Sequence, residues 1–361
     1  MAICEGFVPR LRRALGLLVF LFALAAMGCS AALDYPGALG VAAPGAQAAG
    51  LHEPQPYEPE AAEAYEAMPP AEPEPPRLRY AVMPDNPRPG YPVTIGVSAG
   101  FGVETASLML GGRRIARGSF FPAYSDDGSQ PFKATLLTVP TTIGAGQPVI
   151  VLETSEGVAA EIPLAVAARQ FHSETIALTP ALTGIQTDMS PQRVAESQHL
   201  WAVLGRVGTE AYFTGSFVRP VQSTRRTSIF GARRVFVNQD GSRSTSIHAG
   251  IDYGIPTGTP VFASGGGRVV LARDRIVSGK SVIIEHLPGV FSIYYHLDAI
   301  GVREGDMIET GAVLGLSGNT GFSTGPHLHW EVRVFGENTD PDAIVARPLL
   351  DRSAILGIMG Y

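Results

Sequence analysis

His327-Leu328-His329-Trp330-Glu331-Val332 alternates between side chains that bind protons or metals and side chains that avoid water. Successive residues of a β-strand face opposite sides, so His327, His329 and Glu331 share one face, and Leu328, Trp330 and Val332 the other. One face suits chemistry and the other a core. The glycine-rich run Gly318-Asn319-Thr320-Gly321-Phe322-Ser323-Thr324-Gly325-Pro326 leads into this segment. Upstream stands His248-Ala249-Gly250-Ile251-Asp252, where Gly250, Gly254, Pro256, Gly258 and Pro260 argue against a helix. In an extended segment, positions four apart share a face, so His248 and Asp252 can converge. A third β-rich run, Ile293-Tyr294-Tyr295-His296-Leu297, turns His296 away from Tyr295 and Leu297. It follows Ser281-Val282-Ile283-Ile284-Glu285-His286 across Pro288-Gly289, which reads as a hairpin. An antiparallel sheet is the natural way to gather the three segments.

The chain has two cysteines, Cys4 and Cys29, both in its N-terminal targeting region. The folded part therefore has no thiolate metal site and no disulfide framework, and any metal is held by nitrogen and oxygen. Three such ligands with a fourth position open is the arrangement of a catalytic zinc. Two neutral imidazoles and one carboxylate leave a net charge of about +1, which polarises a bound water. Hydrolysis also needs a base and an acid, and histidine serves as either near neutral pH. Four histidines (His248, His296, His327, His329) and Asp252 supply three ligands and two proton-handling groups. Any one of these histidines alone reads as a core or surface residue. Their occurrence in three β-rich segments of an exported, thiol-free domain counts against that reading. Glu331, on the face of His329, can orient that ligand as an acceptor or stand as an edge charge. His172 and His199 read as structural, and His286 as structural with an approach to the groove as the alternative; Arg225, Arg226, Arg233 and Arg234 read as solvated surface cations, with lining of a groove that meets substrate carboxylates as the alternative.

With 361 residues and 45% hydrophobic content, the chain has room for two folded domains and accessory segments. Its charge of −6 is uneven: residues 1–32 carry +2 and residues 33–76 carry −8, so residues 77–361 are neutral overall. That excludes the basic field nucleic-acid binding requires. Arg10, Arg12 and Arg13 precede the apolar run Ala14 to Met27, the order of an export signal. The run ends in Ala25-Ala26-Met27-Gly28-Cys29-Ser30, which resembles a lipobox and implies a lipidated Cys29 tethering the protein to a membrane; the alternative is a soluble exported protein cleaved near Ala31 or Ala32, with Cys29 discarded. Residues 1–30 are thus read as the signal, and 31–77 as a stiff Pro/Ala/Glu-rich linker. His52-Glu53 lies in that linker, and Pro56 rules out a metalloprotease helix. Residues 78–168 show β-rich runs broken by glycine and proline, the pattern of a small β-sandwich. Residues 169–222 form a connector with a helix near 190–204, started by Ser190-Pro191 and packed through Val194, Leu200, Trp201 and Leu204. Residues 223–347 form the metal domain and 348–361 a C-terminal tail.

Over about residues 223–345 the chain resembles the lysostaphin or LytM type of zinc endopeptidase. The resemblance rests on His248 and Asp252 as His-x-x-x-Asp, and on His327 and His329 as His-x-His. Further landmarks are Phe230-Gly231-Ala232-Arg233-Arg234, Gly258-Thr259-Pro260-Val261, Gly267-Arg268-Val269, Tyr295-His296-Leu297, Gly305-Asp306 and the Gly318 to Pro326 loop. Trp330 stands where the family often has Phe, a change on the core face. The resemblance implies a mostly β fold: an antiparallel peptidase domain preceded by an immunoglobulin-like β-sandwich and a short helical connector. It implies one zinc ion held by His248, Asp252 and His329, with His296 and His327 as the catalytic pair. The implied activity is hydrolysis of peptide bonds in bacterial peptidoglycan by an exported protein of the periplasm or cell surface. The alternative is a non-catalytic lipoprotein that binds cell wall or activates another hydrolase. No feature of the sequence fixes an oligomeric state.

Overall fold

A computed structural model describes residues 77–361. The segments read as an export signal with Cys29 and as a linker, up to Pro76, lie outside the described residues. The described chain is mostly β. Its first part is a sandwich of two four-stranded antiparallel sheets. One runs in the order Tyr80–Met83, Pro92–Ser98, Pro131–Thr138, Phe121–Tyr124, and the other Arg113–Ser119, Thr105–Leu110, Val149–Thr154, Gly157–Pro163. Val93, Ile95 and Val97 alternate inward against Leu108, Ile150 and Leu152. The opposite face of this strand is buried too. Thr94 Oγ1 donates to the Leu349 carbonyl at 2.5 Å, and a Cβ at Gly96 would lie 2.3 Å from Ile355. Ile355 belongs to the helix Arg352–Met359, which covers that face. The sheet is therefore buried on both sides, and its outer face joins the core of the C-terminal part.

Ser190 caps the helix Pro191–Leu204 as its Ser-Pro start predicts, its hydroxyl accepting from Arg193 N–H. Leu204 is buried, but Val194 and Trp201 are exposed rather than packed. Trp201 instead lies against the Arg333 guanidinium, 5.2 Å from the ring centre, while Leu204 and Leu200 pack against Leu271, Ile283, Phe291 and Ile293 of the large sheet. The strand Ser173–Ala177 carried no signal of its own. It pairs in parallel with Arg233–Val237, which in turn forms a hairpin with Arg243–Ile247.

The large sheet runs in the order Arg226–Ser228, Gly250–Tyr253, Leu328–Val334, Val290–Ile300, Lys280–Leu287, Gly267–Arg273, Met307–Ile308. The expected hairpin turns at Pro288-Gly289, with Leu287 opposite Val290. Leu328, Trp330 and Val332 are fully buried with Ile251, Tyr253 and Tyr294. His286 is part of this core. Its Nδ1–H donates to the Gly266 carbonyl at 2.6 Å, its Nε2 lies 2.7 Å from Ser292 Oγ, and the Phe213 and Phe217 rings pack against it.

Burial lowers the His286 pKa to about 4 from an ordinary value of 6.5. The imidazole is thus neutral in the fold, while the unfolded chain takes up a proton below about pH 6.5. Stability is therefore lost as pH falls from about 6.5 to about 4, by on the order of 3 kcal/mol from this group. Urea unfolding at pH 7 and pH 5 should show a smaller drop for His286→Gln than for the wild type. Equal drops would contradict a buried neutral His286.

Candidate metal centre

His248 precedes the strand Gly250–Tyr253 and is pinned by its backbone, which bonds Ala232 and Gly231 at 2.9 and 2.8 Å. Asp252 lies within that strand, directly opposite His329 of the next, and Tyr295 stands opposite His329 on its other side. Gly250 permits the close approach: a Cβ there would lie 2.2 Å from the Trp330 carbonyl oxygen. Three donor atoms converge as a result. His248 Nε2 is 3.0 Å from Asp252 Oδ1 and 3.0 Å from His329 Nδ1, and His329 Nδ1 is 2.8 Å from Asp252 Oδ1.

Each of these groups is held from behind. His248 Nδ1–H donates to the Ile229 carbonyl at 2.8 Å, with Ser228 Oγ at 3.1 Å, which leaves Nε2 as a lone pair toward the centre. His329 Nε2 faces Glu331 Oε2 at 3.4 Å, and Arg333 holds the other Glu331 oxygen. Asp252 Oδ2 accepts from Arg234 at 2.6 Å. Burial works against an ionised Asp252, but its polar contacts with His248 and His329 outweigh it and hold its carboxyl well below the usual range. Burial lowers the His248 pKa, keeping that ring neutral. Burial also opposes charge on His329, yet Asp252 and Glu331 together raise its pKa to about 9. A proton thus sits among three donors, where a divalent cation bound by nitrogen and oxygen would replace it. Two imidazoles and one carboxylate suit a borderline cation, with room for a further ligand.

His327 joins the centre through a bridge to Gly318, just before its strand begins. Its Nδ1 bonds the Gly325 carbonyl at 2.7 Å, and its Nε2 lies 3.7 Å from Asp252 Oδ1. Strand alternation sets His296 apart from Tyr295, but the structure brings both rings against His329. Tyr295 stacks on His329 at 5.6 Å, while the His296 ring lies 6.2 Å from His329 and 4.8 Å from His327. The reason is backbone: His296 has φ of 62°, the left-handed region, and the ladder to the neighbouring strand shifts register beside it. His296 Nδ1–H donates to the Thr320 carbonyl at 2.8 Å. Burial, then His327 and His329, lower the His296 pKa to about 3, and burial lowers that of His327. Both rings are neutral at pH 7, each with Nδ1 on a backbone carbonyl and Nε2 free.

A groove of about 700 Å³ passes the centre, lined by Glu174, Arg225, Arg234, Asp252, Thr324 and His327 among others. Arg226 and Arg233 point elsewhere, to Asp342 at 2.6 Å and to the Thr141 carbonyl at 2.6 Å. Arg234 is no solvated cation but the clamp on Asp252. Its role was hidden because nothing in the local pattern marks a bond to a residue 18 positions away.

Buried carboxylates behind metal-binding imidazoles typically contribute 10–100-fold to metal affinity. Glu331→Gln, with its fold checked by circular dichroism, should bind a divalent cation weaker by about that factor in competition with a chelator. Wild-type affinity in the folded variant would assign Glu331 to packing alone.

Residues 246–341 match the description Peptidase family M23. Over 130 residues the chain is 38% identical to the DD-carboxypeptidase/endopeptidase Mpg of Neisseria meningitidis, covering 36% of this chain and 29% of that protein. Over 118 residues it is 42% identical to the peptidoglycan DD-endopeptidase ShyA of Vibrio cholerae, covering 32% of this chain and 27% of that protein. The chain thus spans less than a third of the length of these curated relatives. Among solved structures, the catalytic domain of the prophage-encoded M23 protein EnpA from Enterococcus faecalis is 32% identical, covering 36% of this chain and 97% of that one at a TM-score of 0.31. The matched span holds His248, Asp252, His296, His327 and His329 together, and the chain carries a domain of peptidase family M23.

Proposed function

We propose that this chain is an exported zinc-dependent endopeptidase that hydrolyses peptide bonds in the stem peptides or crosslinks of bacterial peptidoglycan, tethered to a membrane through Cys29. The observation that carries the reading is the convergence of His248 Nε2, Asp252 Oδ1 and His329 Nδ1 within 3.0 Å of one another beside two neutral imidazoles. In this reading His248, Asp252 and His329 hold one zinc ion, which when bound supplies Lewis acidity toward the scissile carbonyl. His296 and His327 handle the protons. With Nδ1 committed to backbone carbonyls, each offers Nε2 to accept a proton from the attacking water and, once protonated, to pass it to the leaving amine or to donate to the tetrahedral oxyanion. Burial favours their neutral forms, so both are ready as bases at neutral pH. The names of the relatives, DD-endopeptidase and DD-carboxypeptidase/endopeptidase, support peptidoglycan as the substrate class. The complete set of ligands and proton carriers counts against a non-catalytic cell-wall binder.

The purified full chain supplied with zinc should release peptide fragments from isolated sacculi. His329→Ala should lower that release by at least about a hundredfold, since loss of a ligand removes the metal and with it the main electrostatic stabilisation. Equal release by the two proteins would refute the reading.

A further inference from the structure

Glu174 lies outside the matched span, on the strand Ser173–Ala177, yet it reaches the metal centre by two routes. Parallel pairing sets it beside Arg234. Its carboxylate oxygens lie 2.8 and 3.0 Å from Ser228 Oγ, which donates to them, and Arg234 Nε approaches at 3.4 Å. His172 Nε2 is a third partner at 3.0 Å, on the exposed side. Ser228 Oγ is also 3.1 Å from His248 Nδ1, and Arg234 is also 2.6 Å from Asp252 Oδ2. One carboxylate therefore stands behind two of the three converging groups.

We propose that Glu174 is a positioning residue for the metal centre, holding His248 through Ser228 and Asp252 through Arg234. This rests on the assignment of His248, Asp252 and His329 as ligands. The chemistry follows from proton counting. Ser228 has one hydroxyl proton, and giving it to Glu174 leaves the oxygen's lone pairs facing His248 Nδ1–H. That keeps the proton on Nδ1 and makes Nε2 a better donor, the effect expected of an outer carboxylate behind a metal-binding imidazole. Arg234 is shared between two carboxylates, so Asp252 is oriented by the guanidinium without being fully neutralised by it. Burial works against the charge on Glu174, but the bonds from Ser228 and His172 and the nearby Arg234 lower its pKa, so it is ionised. The peptidase centre is thereby tied to a strand that precedes the family domain.

The test uses the full chain loaded with Co²⁺, comparing wild type, Glu174→Gln, Ser228→Ala and the double variant. Glu174→Gln keeps the side-chain size, and we expect about tenfold faster metal release to a chelator. The visible cobalt bands should shift, and the gain in Tm on metal binding should shrink. Ser228→Ala should act in the same direction, and the double variant should fall short of the product of the two effects, because both break one chain of contacts. A Glu174→Gln protein with wild-type release rate and cobalt spectrum overturns the proposal, even where its metal-free Tm is lowered, since that is what a purely structural ion pair would give. A wild-type chain that takes up no cobalt overturns the ligand assignment and this proposal with it, whereas normal uptake with an unaffected variant overturns only the role of Glu174.

Discussion

The site depends on how closely Gly250–Tyr253 lies against Leu328–Val334, and on their register. Asp252 faces His329 across the ladder, and Gly250 faces Glu331 with no room for a side chain. A slip of one residue would exchange His329 for Trp330 at the site. What forbids the slip is on the other face, where Leu328, Trp330 and Val332 are completely buried. Removing a side chain like Trp330 from such a core costs about 3–5 kcal/mol. The apolar face thus holds the polar face in place.

Around that pairing, environment assigns different charge states to four chemically identical rings. His329, between Asp252 and Glu331, is held in its protonated form. His248, His296 and His327 are held neutral by burial, each with one nitrogen on a backbone carbonyl. A line of contacts runs from His329 through Glu331 and Arg333 outward to Trp201 of the connector helix.

Much of this was legible in the sequence because it is local. Strict alternation at His327 to Val332 marks a strand with a core face, and Ser190-Pro191 marks a helix start whose hydroxyl cap is present. What was not legible depends on distant partners or on backbone. His296 departs from alternation through a positive φ that no residue type announces. Arg234 looks like any surface cation until the fold brings it to Asp252, and Ser173–Ala177 becomes a strand only because Arg233–Val237 arrives beside it. Val194 and Trp201 look like packing residues on an apolar helix face, yet both are exposed.

Two imidazoles and one carboxylate, gathered by one strand pair and the turn before it, make up the proposed divalent metal site. X-ray absorption at the zinc edge of the loaded full chain tests this most directly. A first shell of nitrogen and oxygen at about 2.0–2.2 Å, with outer-shell scattering from two imidazoles, is the predicted result. A shell with one imidazole or none would contradict it.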